Sequence, residues 1–214
     1  MAWIWRIIVL GLVIASARAE APAADPAAAI CAKTACRPGG FAIKVSVDKE
    51  HFTTLAVTHS PYVEEDGTIL IFPGETLVFR LPAEGDKLGA PQFVAEYAPQ
   101  KPAERDTPDT RSLPKLSDGM PADMLAPFPA GSFVVSYGQR GREPSTYLVM
   151  AHNLPQTLKL DAVMMIIRPA KYEPHATSTC PLMTKVFGFE HWPHPIGPML
   201  LKNIRVPTGG MVCD

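Results

Sequence analysis

Two histidines in the segment GFEHWPHPI have the residue type and the spacing that most resemble a metal-binding site. His191 and His194 are three positions apart, and imidazole nitrogens bind copper and zinc well. With Glu190 they resemble half of a metal site, which makes a copper or zinc protein one hypothesis. The two prolines of the segment exclude a regular helix. We therefore favour a rigid loop in which Trp192 packs on the fold, both histidines lie at the surface and no cofactor is bound.

Four cysteines, Cys31, Cys36, Cys180 and Cys213, form the second group. An even number of cysteines in an exported chain predicts disulfides. Pairing within each end of the chain is favoured, because it closes a small N-terminal loop and ties back the C-terminus. Pairing between the two ends is also compatible with the sequence. A zinc thiolate site would need two close pairs, and 32 residues separate Cys180 from Cys213.

Motifs for the common enzyme chemistries are absent. The chain has no Gly-x-Ser-x-Gly nucleophile motif and no glycine-rich phosphate loop. The carboxylates Glu64, Glu65 and Asp66 precede Gly67, which predicts a solvated turn rather than a catalytic pair. The sequence therefore favours a protein without catalytic activity. An enzyme whose site is assembled from distant loops is a third hypothesis.

Methionine and aromatic side chains point instead to a binding role. Met120, Met124 and Phe128 lie in the long proline-rich stretch 99–131, and Trp192 lies in the histidine segment. Such side chains are frequent in protein interfaces. We expect these four residues to contact a protein or cell-envelope partner, with core capping as the alternative. The net charge of −1, from 20 basic and 21 acidic residues, argues against a nucleic-acid partner.

The first 19 residues have the three parts of a secretory signal peptide. Arg6 precedes the apolar run 7–15, and small residues lead to Ala19. A run of about nine is too short to cross a bilayer, which needs about 20 residues. No later stretch reaches that length, so we expect no membrane span in the mature chain. Residues 20–35 are predicted to be an Ala/Pro-rich tether, and residues 36–214 a single domain in the bacterial periplasm or outside the cell.

Apolar and polar residues alternate downstream with the period of strands. The clearest case is 41–47, and the stretches 132–137 and 145–150 flank turn residues as in a hairpin. The 23 prolines among 214 residues disfavour a helical fold. About nine strand candidates, separated by turn residues, follow one another along the chain. They predict an all-β fold, an immunoglobulin-like or cupredoxin-like antiparallel β-sandwich with one long proline-rich loop.

Two short stretches resemble copper proteins of the sandwich class. Residues 73–79 (PGETLVF) resemble the turn and strand with which cupredoxin domains open. Residues 153–155 are similar to the Asn-Leu-Pro stretch before the His-x-His copper ligands of multicopper oxidases. This chain continues with TLKLD and has no His-x-His at that place. The resemblance implies a shared sandwich without a blue-copper site, and no family is assigned.

Overall fold

The computed structural model describes residues 28–84, 87–96, 129–139, 143–169, 171–209 and 213. These residues form antiparallel strands and one short helix, which confirms the all-β prediction. The elements in chain order are α1 (Ala28–Cys31), β1 (Cys36–Arg37), β2 (Phe41–Ser46), β3 (Phe52–Val57), β4 (Ser60–Pro61), β5 (Ile69–Ile71), β6 (Glu75–Arg80), β7 (Ala83–Glu84), β8 (Lys87–Leu88), β9 (Gln92–Glu96), β10 (Ser132–Gln139), β11 (Thr146–His152), β12 (Lys159–Arg168), β13 (Lys171–Ser178), β14 (Gly188–Trp192) and β15 (Ile196–Arg205).

Two antiparallel sheets form a sandwich-like arrangement. The five-stranded sheet has the order β14-β11-β10-β6-β9, and the four-stranded sheet has the order β13-β12-β15-β5. Alternate side chains of both sheets meet in one apolar core, as strand geometry requires. Its fully buried members include Ile69, Ile71, Leu77, Phe79, Phe133, Val135, Leu148, Met199 and Leu201.

One tyrosine joins the two layers of the sandwich. The Tyr137 hydroxyl on β10 donates a hydrogen bond of 2.8 Å to the Gly197 carbonyl on β15. Burial raises the pKa of Tyr137 well above 10, so this hydroxyl stays protonated. The bond satisfies a polar group that would be costly to bury alone.

The central strand β10 is buried at all eight of its positions. Its outward side chains are covered as well as those that face the core. On the outward face, the Thr76 and Ser136 hydroxyls pair at 2.8 Å, so neither polar group is buried without a partner. Burial on both faces explains why the sequence of β10 is continuously apolar at Phe133–Val135 rather than strictly alternating.

The hairpin β2–β3 has a small apolar cluster of its own and is fixed to β10. The Gln139 side chain accepts a hydrogen bond from the Ser46 amide at 2.8 Å and donates one to the Ser46 carbonyl at 2.9 Å. One glutamine side chain therefore satisfies both backbone groups of a strand residue. Further short pairs join β1 with β4 and β7 with β8.

Both disulfides have the favoured pairing. Cys31 is bonded to Cys36 and Cys180 to Cys213. The first bond attaches α1, which lies within the expected Ala/Pro-rich tether, to β1. The second bond attaches the C-terminal end to the segment that precedes β14.

Two strands of the two main sheets, β14 and β13, were not predicted from the sequence, nor were the two-residue strands β1, β4, β7 and β8. The histidine segment is not a loop throughout, because Gly188–Trp192 is strand β14, followed by a turn at 193–195 and by β15. The two prolines that exclude a helix, Pro193 and Pro195, both lie in that turn. β13 also escaped prediction, since nearly all of its residues are exposed and it carries Pro174. An outermost strand tolerates a proline because its free side needs no amide donor.

Some predictions lie outside the described residues. These are the leader 1–19, the first part of the tether at 20–27 and most of the long proline-rich stretch at 97–128. Among the described helices, none has the length and apolar character needed to cross a membrane.

Candidate functional site

The segment that carries His191 and Trp192 includes β14, an edge strand of the five-stranded sheet. β14 pairs with β11 so that Tyr147 is opposite His191. Side chains alternate along the strand, so Glu190 and Trp192 are half-buried while Phe189 and His191 are exposed. Trp192 packs against the main core, as its position in a rigid segment indicated.

Three aromatic rings lie side by side on the exposed face of β11 and β14. The ring centroids of Tyr147 and His191 are 4.7 Å apart, with the planes inclined by 25°. Those of Tyr147 and Phe189 are 5.6 Å apart, inclined by 39°. We call Phe189, Tyr147 and His191 the aromatic ladder. The contacts restrict the conformations that the three side chains can adopt.

Apolar side chains continue from the aromatic ladder along this end of the sheet. Phe187 lies two positions before Phe189 and packs on a small outer cluster made by Val78, Val134 and Ala151. Met183 and Val186, which precede it in the chain, are 48% and 38% exposed, and Phe189 is 43% exposed. The stretch 183–191 therefore presents an unusual share of apolar surface.

His194 lies in the turn between β14 and β15. Its carbonyl accepts a hydrogen bond of 2.8 Å from Thr146 Oγ1, which fixes the turn. The Glu190 carboxylate accepts a hydrogen bond from the Cys180 amide at 3.0 Å. Within the described parts of the chain, no cluster of three metal-ligating side chains includes His191 or His194. Copper or zinc binding by these two histidines stays a prediction.

A buried ion pair anchors the N-terminal strand β1. The Arg37 guanidinium and the Glu75 carboxylate are both fully buried and make two hydrogen bonds, of 2.9 and 3.1 Å. Arg37 also donates to the carbonyls of Pro61 and Leu70, each at 2.8 Å, and to Ser60 Oγ at 3.2 Å. Its charge lies 4.4 Å from the centre of the Tyr62 ring. With these donors engaged, Arg37 is a structural anchor rather than an anion-binding group.

A group of soft ligand atoms lies beside this anchor. The sulfur atoms of Cys31 and Cys36 and a ring nitrogen of His59 all lie within 4.8 Å of one another. Both cysteines are half-buried and His59 is exposed. Sequence spacing gave no sign of this group, because His59 is more than 20 positions from either cysteine and joins them only through the β1–β4 pair.

His152 is buried and neutral. Its Nε2 is 2.9 Å from the Leu182 carbonyl, and its Nδ1 accepts the Leu154 amide proton at 3.2 Å, so the proton lies on Nε2. Burial lowers the pKa of His152, and the two backbone hydrogen bonds only partly oppose that effect. Both ring nitrogens are engaged, so this histidine acts in the fold and not as a ligand.

The acidic stretch after β4 is a turn, and it borders a groove of about 520 Å³. The Gly67 amide donates to the Glu64 carbonyl at 3.0 Å, and the Thr68 amide to Asp66 Oδ1 at 2.9 Å. Partial burial, followed by repulsion from Asp66, raises the pKa of Glu64. The charge of Arg37 partly opposes that effect. Lys202 lines the same groove. Hydrogen bonds from Thr68, and to a smaller extent the charge of Lys202, lower the pKa of Asp66.

Of the four expected partner-binding residues, only Trp192 falls within the described residues. Met120, Met124 and Phe128 lie outside them. The aromatic ladder was missed because its segment was interpreted as a loop. Alternation of Phe187, Phe189 and His191 was the available signal for one exposed face of a strand.

No family model matches the chain, and no characterised protein or solved structure matches it either.

Proposed function

We propose that this chain is an exported, non-enzymatic binding protein, and that a partner protein binds at the aromatic ladder. The observation that carries the proposal is the set of contacting rings formed by the exposed Phe189 and His191 and the half-buried Tyr147, at the edge of the five-stranded sheet. Two disulfides and the signal-peptide pattern of residues 1–19 support a periplasmic or extracellular location.

The chemistry of this surface favours an apolar segment of a protein as the ligand. The outward positions of β11 and β14 that reach the surface carry the rings of Tyr147, Phe189 and His191, and no carboxylate or ammonium group. Interface centres are depleted in charge and enriched in aromatic residues and methionine. The rings contact one another, so binding does not have to order them first.

Site-specific photocrosslinking in the native host tests the location of the interface. A benzophenone amino acid is placed at position 189, and at position 172 in a matched control. Tyr172 is a suitable control because it is 45% exposed but lies on β13 of the other sheet. We expect a covalent adduct with one partner protein from position 189 and none from position 172.

Measured binding to the purified partner then tests the residues. Replacing Tyr147 and Phe189 together by serine is expected to raise Kd at least about tenfold, as for hot-spot aromatics. Tyr172→Ser is expected to leave Kd unchanged. Equal adducts from both positions, adducts only with a second copy of this chain, or an unchanged Kd in the double variant would each refute the proposal.

A further inference from the structure

The N-terminal disulfide lies beside an imidazole, which distinguishes it from the C-terminal one. Cys31 Sγ, Cys36 Sγ and a His59 ring nitrogen are mutually within 4.8 Å. Within the described residues, this is the one group of three or more Cys, His, Asp or Glu side chains gathered so closely. The disulfide Cys180–Cys213 has no such companion among those residues.

Two of the three residues are held in place without the disulfide. Cys36 lies opposite Pro61 in the β1–β4 pair, directly after His59 and Ser60 in the partner segment. The neighbouring Arg37 side chain donates hydrogen bonds to both Ser60 and Pro61. Cys36 and the His59 backbone therefore keep their positions when the sulfur–sulfur bond is opened.

The third residue can move only a short way. Cys31 ends the four-residue helix α1, and four residues connect it to Cys36. The amides of Lys33 and Thr34 both donate to the Ile30 carbonyl, at 2.8 and 3.1 Å, so this connection is a closed turn. After reduction the Cys31 thiol stays within reach of the other two groups.

We propose that reduction of the Cys31–Cys36 disulfide converts this group into a binding site for Cu(I), with His59 as the third ligand. A dithiol reductant supplies two electrons and two protons and becomes a disulfide, while Cys31 and Cys36 become thiols. Cu(I) then binds the two sulfurs and the imidazole, and the two thiol protons are released. Thiolate donors select soft ions such as Cu(I). Zn(II) normally takes four ligands, and this group supplies three.

The metal site is independent of the proposed partner surface. It lies in the N-terminal part of the fold, at the β1–β4 pair, whereas the aromatic ladder belongs to β11 and β14. Copper binding can therefore be measured in a variant that has lost the aromatic ladder, and partner binding in a variant that has lost the metal site.

Anaerobic titration of the reduced protein with Cu(I), against a colorimetric Cu(I) chelator, tests the site. We expect one Cu(I) per chain in the natural protein and in the variant with Cys180→Ser and Cys213→Ser. The matched variant with Cys31→Ser and Cys36→Ser is expected to hold none. His59→Ala is expected to weaken Cu(I) binding at least about tenfold.

Three results would overturn the proposal. They are equal copper uptake by the Cys31→Ser, Cys36→Ser variant, unchanged affinity in His59→Ala, and retention of one Zn(II) per chain in the presence of excess Cu(I). Circular dichroism establishes that each variant is folded. His59→Gln, which keeps a polar side chain of similar reach, replaces His59→Ala if that variant is unfolded.

Discussion

Replacement of Arg37 by methionine probes the buried anchor of strand β1. The substitution keeps much of the apolar stem and removes the guanidinium with its five hydrogen bonds. Glu75 then remains fully buried without its charge partner, and two carbonyls, of Pro61 and Leu70, lose a donor. The side chains of Arg37 and Glu75 are both 0% exposed, so bulk solvent does not contact them in the folded chain.

The expected cost is large on the scale of protein stability. Removing one partner of a buried ion pair typically costs about 3–5 kcal/mol, because it leaves an uncompensated buried charge. The two carbonyls add to this cost. Domains are stable by only about 5–15 kcal/mol. At about 2–4 °C per kcal/mol for a domain of this size, we expect Arg37→Met to lower Tm by about 6–20 °C.

An exposed ion pair provides the matched control. Arg168 and Glu173 are 3.0 Å apart, and their side chains are 44% and 47% exposed. Such pairs contribute about 0–1 kcal/mol, so Arg168→Met is expected to change the free energy of unfolding by less than about 1 kcal/mol. Both variants are compared by urea unfolding, followed by circular dichroism, at one pH and salt concentration.

A double substitution separates the charge effect from the loss of packing. Arg37→Met with Glu75→Leu removes the unpaired carboxylate, so we expect this protein to be more stable than Arg37→Met alone. If Arg37→Met costs no more than Arg168→Met, the reasoning about burial is refuted. If the double variant is the less stable of the two, the carboxylate itself is not the source of the cost.

Three further predictions concern other parts of the fold. Burial lowers the pKa of His152, so the unfolded chain takes up a proton at higher pH than the folded chain does. Stability should therefore fall below about pH 6.5, by up to about 1.4 kcal/mol per pH unit, and urea unfolding between pH 5 and 7 should show a smaller slope for His152→Gln. Replacing Cys180 and Cys213 by serine opens a loop of sequence separation 33 and should cost about 3–4 kcal/mol in the free energy of unfolding by chain entropy. Gly39→Ala places a Cβ against the His59 backbone, so its Tm should fall by several degrees, whereas an alanine at Gly209, which has open space, should leave Tm unchanged.

The sandwich was easier to predict from the sequence than the surface that we propose as the binding site. Alternation at 41–47 and the apolar hairpin at 132–150 depend on burial, which leaves a pattern in the residues themselves. The exposed strands carry a weaker pattern: β13 has no buried face to alternate, and β14 has only five residues before a proline turn.

Contacts between side chains that are far apart in the sequence were harder to predict. Arg37 and Glu75 are 38 positions apart, and nothing in either local sequence indicates that they form a buried pair. The same holds for His59 and the N-terminal disulfide, which meet only because β1 pairs with β4. The disulfide pairing was easier to predict, because four cysteines allow only three pairings and local loop closure favours one of them.

The pairing of β5 with β15, which are far apart in the sequence, sets how late in synthesis the four-stranded sheet can be completed. β5 ends at Ile71, and its partner in the four-stranded sheet begins only at Ile196. A chain synthesised from its N-terminus therefore contains β12 and β13 before it contains β15, the strand that joins them to β5. Closing such distant contacts is slow. The four-stranded sheet can be completed only after synthesis has passed Arg205, and until then β5 has no partner strand in its sheet.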